Sequence, residues 1–265
     1  MELYNQDCLE KMKDLSDNSI DLLFCDLPYG QTGCKWDSLI DLDLFWKEVN
    51  RVCKINCPMF FTCSTKFGVS LINSNPKNFR YDLIWVKSSP CGFLLAKKMP
   101  IRKHEMVYVF YRKLPLYDLS SHSHKFIKSN DKGNIGGLYG NVEKLNGEHR
   151  QYDPPLPVSV IKTKLYSNKN KEEPTELYRN KGGQYDPPLP NSILEIKSEK
   201  GKHATQKPTA LIEWCLKYYS KEGDIILDPT MGSGSTGVAC KIMNRNFIGI
   251  EKDEKIFNSA VERLK

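Results

Sequence analysis

The sequence predicts an α/β fold in which helices cover both faces of a doubly wound, mostly parallel sheet. Short apolar runs alternate with helical patterns along residues 1–112 and again after residue 202, as expected for βαβ units. Two of the runs, 20–25 and 224–227, lead directly into segments rich in Asp, Pro and Gly. In such sheets, ligands bind beyond the carboxyl ends of the strands. The sequence therefore predicts a site built by these two strand ends.

The predicted elements follow one another at short intervals. Strands are predicted, from their compact apolar runs, at Leu3–Tyr4, Ile20–Cys25, Pro58–Cys63, Tyr81–Val86, Met106–Tyr111, Asp224–Leu227 and Asn246–Ile250. Helices are predicted, from apolar residues three and four apart, at Leu9–Leu15, Leu42–Lys54, Thr209–Tyr219, Gly237–Met243 and Ile256–Leu264. The fourth helix is further supported by Pro208, because proline suits the start of a helix.

Residues 113–202 differ in character from the rest of the chain. Gly, Asn, Ser, Lys and Pro dominate this stretch, and its apolar periodicity fades. The segment QYDPPLP occurs twice, at 151–157 and 184–190, which indicates a local tandem duplication. A long irregular stretch inside a compact domain is usually functional. We therefore predict one domain formed by residues 1–112 and 203–265, with 113–202 as an inserted region.

The composition favours a nucleic-acid-binding protein over a membrane or secreted one. The 265 residues include 39 Lys and Arg against 32 Asp and Glu, a net charge of +7 that suits a nucleic-acid partner. No apolar run has transmembrane length, and no signal-peptide pattern is present. The nine cysteines are scattered, and the closely spaced Cys53 and Cys57 have no second matching pair, which predicts reduced, buried thiols, a cytoplasmic location and no metal site.

The segment after the run 224–227 predicts a nucleotide-like cofactor. Its sequence is Asp228-Pro229-Thr230-Met231-Gly232-Ser233-Gly234-Ser235-Thr236. Glycines let a ligand approach the backbone closely, and the following helix supplies free N–H donors. Glu251 follows the next predicted strand, close to the spacing at which an acidic residue binds ribose hydroxyls. No Gly-Lys-Ser/Thr sequence follows, so the loop is not a phosphate-binding P-loop.

The segment Asp26-Leu27-Pro28-Tyr29 predicts a pocket for a nucleic-acid base. The exocyclic amine of adenine or cytosine is a poor nucleophile, because its lone pair is delocalised into the ring. The Asp26 carboxylate and the Pro28 carbonyl can accept hydrogen bonds from both amine protons and free that lone pair. Tyr29 can stack on the base, which must leave the duplex to reach such a pocket.

These motifs and their order resemble the DNA amino-methyltransferases that use S-adenosylmethionine, in the beta-type circular order. That order places the Asp-Pro-Pro-Tyr element first, then the target-recognition region, then the glycine loop. Further similar segments are His203-Ala204-Thr205-Gln206-Lys207-Pro208, Gly249-Ile250-Glu251, Trp85-Val86-Lys87 and His104-Glu105. The chain departs from the family pattern at Leu27 and Ala204, which replace prolines, and at Met231, which replaces phenylalanine.

The resemblance implies a Rossmann-like, circularly permuted class I methyltransferase fold and a role for each site residue. Catalysis is assigned to Asp26, Pro28 and Tyr29. Contacts with S-adenosylmethionine are assigned to Asp7, Cys8, Asp26, His203, Thr205, Lys207, Asp228, Pro229, Thr230, Gly232, Ser233, Gly234, Ser235 and Glu251. Within this set, Lys207 is expected to pair with the cofactor carboxylate, Glu251 to hold the ribose, and Asp7 and Cys8 to contact the adenine.

The resemblance also implies a reaction and partners. Aspartate rather than serine at position 26 favours methylation of adenine N6, with cytosine N4 as the near alternative. An RNA amine methyltransferase and a catalytically silent DNA-binding subunit are the more distant alternatives. The expected substrate is double-stranded DNA, read by residues 113–202 with lysines such as Lys162 and Lys164 on the phosphates. A second copy of the chain and a cognate restriction endonuclease, as in restriction-modification systems, are further candidate partners.

Overall fold

A computed structural model describes residues 1–30, 38–91, 93–121, 123–128, 148–153, 160–162 and 206–265 of the chain. These residues belong to two compact units. The larger unit comprises residues 1–116 and 159–265, and the smaller one comprises residues 117–158. The smaller unit thus begins and ends inside the predicted insertion 113–202.

The larger unit alternates strands and helices, as the sequence predicts. Its strands are β1 (Glu2–Tyr4), β2 (Leu22–Cys25), β3 (Met59–Cys63), β4 (Phe79–Cys91), β5 (Arg102–Phe110), β8 (Val160–Lys162), β9 (Ile225–Asp228) and β10 (Asn246–Ile250). Its helices are α1 (Cys8–Met12), α2 (Leu42–Val52), α3 (Thr65–Ser74), α4 (Thr209–Tyr219), α5 (Ser235–Ile242) and α6 (Glu254–Leu264). A short 3-10 helix, Phe93–Leu95, follows β4.

The eight strands form one mixed sheet in the order β1-β10-β9-β2-β3-β5-β4-β8. All neighbouring strands are parallel except β5, which runs antiparallel to β3 and β4. The predicted doubly wound, mostly parallel sheet is therefore confirmed. Because β9 lies beside β2, the segments that follow Leu23 and Leu227, which are register partners, lie at one edge of the sheet.

The core lies on both faces of the central strands. Every residue of β2 and β3 is buried, as expected for parallel strands that are covered by helices on each side. On one face, Phe45 and Trp46 of α2 make edge contacts with Phe61, and Phe110 packs against the same ring. Each large side chain buried in this way contributes roughly 1.5–3 kcal/mol to folding.

The first turns of the helices follow the sequence signals for capping. The side chains of Asp41, Ser64 and Asp253 accept hydrogen bonds from backbone N–H groups at the starts of α2, α3 and α6. Helix α4 begins directly after Pro208, and both α4 and β10 have the predicted bounds. Helix α1 ends at Met12, three residues before its predicted end at Leu15. The N–H groups of Lys13 and Leu15 bond to the carbonyl oxygens of Glu10 and Met12, three residues back, as in a 3-10 turn rather than an α-helix.

The inserted region contains strands that its polar composition conceals. In the smaller unit, β6 (Ser123–Lys128) and β7 (Glu148–Asp153) form an antiparallel pair. The first QYDPPLP copy starts inside β7, where Asp153 pairs with Ser123, so its first three residues belong to a strand. The second copy, at 184–190, lies outside the described residues.

The predicted burial of the thiols is confirmed for the described side chains. The seven cysteines whose side chains are described are unpaired and buried: Cys8, Cys25, Cys53, Cys57, Cys63, Cys215 and Cys240. Among the described helices, none combines the length and the apolar character that crossing a membrane requires.

Candidate active site

Asp26 lies directly after β2, at the edge of the sheet, and its carboxylate is held from both sides. Its Oδ1 accepts hydrogen bonds from the Thr62 hydroxyl at 2.5 Å and from the Tyr29 hydroxyl at 2.7 Å. Its Oδ2 accepts one from Lys207 Nζ at 2.6 Å. The side chain keeps 31% of its surface exposed, so a ligand can still reach this carboxylate.

Lys207 belongs to a group of four charges. Its Nζ lies 2.6 Å from Asp26 and 3.8 Å from Glu105, and Glu105 also lies 3.2 Å from Lys87 Nζ. Burial lowers the pKa of Lys207, but the two carboxylates outweigh burial and raise it overall. Two lysines and two carboxylates thus balance one another. In this arrangement the ammonium of Lys207 contacts the aspartate of the Asp-Leu-Pro-Tyr motif, which the sequence analysis did not anticipate.

Tyr29 is fixed by its hydroxyl and by its ring. The hydroxyl lies within hydrogen-bond distance of Asp26 Oδ1 and, at 2.8 Å, of the Thr62 carbonyl oxygen. Burial, followed by the charges of Asp26 and Glu105, raises the pKa of Tyr29 far above its ordinary value, so the hydroxyl stays protonated and acts as a donor. One part of the ring packs against Phe67, with ring centroids 5.3 Å apart.

The two residues between Asp26 and Tyr29 have different surroundings. Leu27 is buried in the main core cluster, so the leucine that replaces the usual proline contributes to packing. Pro28 is half-buried. Its carbonyl oxygen accepts no hydrogen bond from the described part of the chain, and it therefore retains the acceptor capacity that the sequence analysis assigned to it.

Asp228 ends β9 and lies almost fully buried beside the glycine loop. Its Oδ2 accepts a hydrogen bond from the Thr236 hydroxyl at 2.5 Å, and its Oδ1 accepts one from the Thr230 N–H at 3.2 Å. Burial is the largest influence on this carboxyl and raises its pKa to about 7. The Thr230 hydroxyl donates to the Asp26 carbonyl oxygen at 3.1 Å and so joins the two strand ends.

The loop from Pro229 to Ser235 requires its glycines. Gly232 and Gly234 have φ angles of +50° and +77°, in the left-handed region that favours glycine. Gly234 lies directly before α5, whose first residues are Ser235 and Thr236. Pro229 and Ser235 are buried, and Ser233 is half-buried with its carbonyl oxygen held by Arg263. An added Cβ at Gly232 would meet only the Thr230 carbonyl oxygen at 4.0 Å, whereas at Gly234 it would lie 3.1 Å from Leu264 of α6.

Glu251 follows β10 and holds the glycine loop in place. Its Oε2 accepts a hydrogen bond from the Gly232 N–H at 3.1 Å, and its Oε1 accepts one from the Asp253 N–H at 2.8 Å. Burial raises the pKa of this carboxyl above its ordinary value, although the backbone N–H groups oppose that rise.

Asp7 and Cys8 follow β1 at the same edge of the sheet. Asp7 caps α1 through the Leu9 N–H at 2.9 Å and pairs with Lys252 at 3.0 Å. Burial raises the pKa of Asp7, but its bonds to Lys252 and the Leu9 N–H outweigh burial, so the pKa is lowered overall. Burial raises the pKa of the Cys8 thiol to about 12, which keeps it neutral.

The structure thus brings most of the predicted site residues to one edge of the sheet. His203 and Thr205 lie outside the described residues. Thr62, which contacts both Asp26 and Tyr29, is not among the site residues predicted from the sequence. Its signal in the sequence is a single hydroxyl within an otherwise apolar strand, Met59–Cys63, where an apolar side chain would be expected.

Comparison with known proteins gives a consistent result. The model of a family described as DNA methylase, N6 and N4 type, matches residues 20–262. The type II methyltransferase M.HinfI of Haemophilus influenzae is 27% identical over 288 aligned positions, which cover 98% of this chain and 67% of that protein. The chain therefore spans about two thirds of the length of this relative.

Two solved structures share the fold. The crystal structure of an M1.HpyAVI–SAM complex has a TM-score of 0.57 and 23% identity, covering 99% of each chain. The cytosine-N4-specific PvuII DNA methyltransferase has a TM-score of 0.62 and 16% identity, covering 99% of this chain and 86% of that one. At these identities the likeness concerns the fold, whereas the family match covers nearly the whole sequence. The chain belongs to the N6/N4 DNA methylase family.

Proposed function

We propose that this protein is a site-specific DNA methyltransferase that transfers the methyl group of S-adenosylmethionine to the N6 amine of an adenine turned out of the duplex. The observation that carries this proposal is Asp26, a partly exposed carboxylate at a strand end, beside a proline carbonyl without a described donor. These two acceptors match the two protons of an exocyclic amine.

The residues of the site act on the amine rather than on the methyl group. Asp26 and the Pro28 carbonyl accept hydrogen bonds from the two amine protons, which draws the nitrogen toward tetrahedral geometry and frees its lone pair. When bound, S-adenosylmethionine supplies an electrophilic methyl group on a sulfonium. After transfer the nitrogen carries one positive charge, and it returns to neutrality by releasing a proton toward Asp26, which passes it to solvent.

The second strand end has the chemistry that such a cofactor requires. The loop backbone at Gly232 and Gly234 carries no Cβ, and it leads into the N-terminus of α5. Asp228 is a buried carboxyl whose described partners are a hydroxyl and a backbone N–H, both neutral. The cationic amine of the cofactor would therefore compensate its negative charge. We assign contacts with S-adenosylmethionine to this loop and to Glu251, Asp7 and Cys8.

We favour adenine N6 over cytosine N4 because the family resemblance associates aspartate at position 26, rather than serine, with adenine. Both amines offer two protons to the same pair of acceptors, so the shape of the base pocket must discriminate between them. The base would lie at Tyr29, whose ring is held by Phe67 and by its hydroxyl contacts. Cytosine N4 remains the second candidate and is a distinct outcome of the experiment below.

We assign recognition of double-stranded DNA to the inserted region 113–202. Its β6–β7 pair carries Lys125, Lys128 and Arg150, which suits contacts with phosphates. A second copy of the chain and a cognate restriction endonuclease stay predictions from the resemblance, as does a cytoplasmic location.

The test is to incubate the full chain with S-adenosylmethionine and unmethylated mixed-sequence DNA, and to analyse the digested nucleosides by mass spectrometry. We expect N6-methyladenine above a control without cofactor, and none from Asp26→Ala. N4-methylcytosine instead would select the second candidate. Absence of both products, with equal DNA binding by both proteins, would favour a silent DNA-binding subunit and overturn the proposal.

A further inference from the structure

Thr62 occupies a position where its polarity requires an explanation. It lies in β3 between Phe61 and Cys63 and is 0% exposed. A buried hydroxyl is costly unless it makes a hydrogen bond. Here it donates to Asp26 Oδ1 at 2.5 Å. The β2–β3 register pairs Cys25 with Phe61, so Asp26 and Thr62 each follow a register partner by one residue.

The donors around the Asp26 carboxylate differ in how firmly they are held. Thr62 is fixed in the central sheet. The Tyr29 hydroxyl has one proton, which Asp26 Oδ1, the Thr62 carbonyl and Glu105 Oε1 share at 2.7, 2.8 and 3.5 Å. Both hydroxyls lie at Oδ1. The donor at Oδ2 is Lys207. Its long side chain places Nζ 3.8 Å from a second carboxylate, that of Glu105.

We propose that Thr62 is a positioning residue that holds Oδ1 of Asp26 so that Oδ2 accepts the hydrogen bond from the target amine. This inference rests on the proposed function. To leave Oδ1, the Thr62 side chain would have to rotate inside the buried strand β3, and the Tyr29 ring would have to move away from Phe67. Lys207 can leave Oδ2 by rotating its stem toward Glu105. The amine therefore replaces the lysine, and Thr62 keeps the carboxylate plane oriented while this exchange takes place.

Two substitutions at this position separate the hydroxyl from the methyl group. Thr62→Val keeps the shape and removes the hydroxyl, whereas Thr62→Ser keeps the hydroxyl and leaves a small cavity. We expect kcat of Thr62→Val to fall about tenfold or more, because a misplaced catalytic group is costly, with little change in the KM for either substrate. Thr62→Ser should retain most of the activity. Melting temperatures should show the opposite order, with Thr62→Val more stable than Thr62→Ser.

The outcomes distinguish this inference from the proposed function. If wild type methylates DNA and Thr62→Val is equally active, the positioning role is wrong while the proposed function stands. Equal losses in both variants would indicate a packing role and would also overturn it. If wild type transfers no methyl group, the proposed function fails, and crystal structures decide the positioning role. A reoriented Asp26 carboxylate in Thr62→Val supports that role, and an unchanged carboxylate refutes it.

Discussion

Two aspartates at the ends of neighbouring strands have opposite environments. Asp26, after β2, pairs with Lys207 at 2.6 Å and keeps part of its surface open to solvent. Asp228, at the end of β9, is 4% exposed and accepts its described hydrogen bonds from Thr236 and Thr230. The first carboxylate is compensated by a cation of the chain itself. The second has no cationic partner within the described residues.

This difference indicates which kind of ligand, neutral or cationic, each aspartate can accept. Lys207 already balances the charge of Asp26, so a neutral amine can bind there by replacing one donor with another. Burial raises the pKa of Asp228 to about 7, so near neutrality this carboxyl is divided between two protonation states. A cation bound nearby would favour its ionised form. We therefore propose that the neutral base binds at the first strand end and the charged cofactor at the second.

The largest effect is expected at Asp26. In Asp26→Asn an amide N–H₂ replaces one carboxylate oxygen, and it would face donors from Thr62, Tyr29 or Lys207. We expect turnover to fall roughly 100- to 10,000-fold, the range typical of a lost acid–base group, while S-adenosylmethionine still binds. Single-turnover transfer of a labelled methyl group measures the rate, and calorimetry measures cofactor binding.

A matched control for this variant is Asp82→Asn, which makes the same chemical change at an exposed residue of β4. It should be as active as wild type. Retention of near wild-type turnover by Asp26→Asn would show that the chemistry does not depend on the first strand end.

An intermediate effect is expected at Lys207, where the resemblance and the geometry make different predictions. A lysine that pairs with the cofactor carboxylate would mainly affect the KM for S-adenosylmethionine. The structure places Nζ 2.6 Å from Asp26 instead. We therefore expect Lys207→Met to lower kcat by about tenfold to a hundredfold, since the lost cation no longer balances or orients the carboxylate. Steady-state kinetics with each substrate varied in turn separates kcat from KM.

Lys207→Met also leaves Glu105 with one fewer cation, so a second variant is needed. The double variant Glu105→Gln/Lys207→Met restores the balance of charge in the group. If it recovers full kcat, the loss came from an uncompensated Glu105, and Lys207 has no direct role at Asp26. An increase confined to the cofactor KM would instead support the role that the resemblance implies.

The sequence predicted where these aspartates lie, because each one follows a short apolar run of the kind that favours a buried strand. It could not predict their partners. Asp26 and Lys207 are separated by 181 residues, and Asp26 and Thr62 by 36. Such pairs depend on strand order and register, which local patterns do not encode. The motif resemblance located Lys207 in the site but assigned it to the cofactor.

Helix α3 shows why a local pattern can fail. Gly68 interrupts the helical signal of Thr65–Ser74, since glycine weakens a helix. A Cβ at this position would lie 2.1 Å from the ring of Tyr108, so the glycine is required by packing against β5. In the inserted region, strands form although the sequence has no apolar pattern that would predict them. Strands β6 and β7 are polar, and their hydrogen-bonded pairing rather than an apolar face reveals them.

The smallest effect is expected for substitution of Asp228, which should change how stability and cofactor affinity depend on pH. A carboxyl whose pKa is raised by folding holds its proton longer than it does in the unfolded chain. Its ionisation therefore costs stability as pH rises from about 4 to about 7, and Asp228→Asn should remove this part of the pH dependence. A cation bound beside Asp228 reverses this preference for the protonated form, because the cation is attracted only to the ionised carboxylate.

Binding of S-adenosylmethionine should accordingly become tighter by up to about tenfold between pH 6 and pH 8, as the ionised fraction of Asp228 rises. Calorimetric titration at several pH values measures this directly. Asp228→Asn should bind more weakly, with an affinity nearly independent of pH in that interval, whereas Asp26→Asn should keep the wild-type dependence. If Asp26→Asn abolishes the dependence and Asp228→Asn preserves it, the assignment of the charged cofactor to the second strand end is wrong.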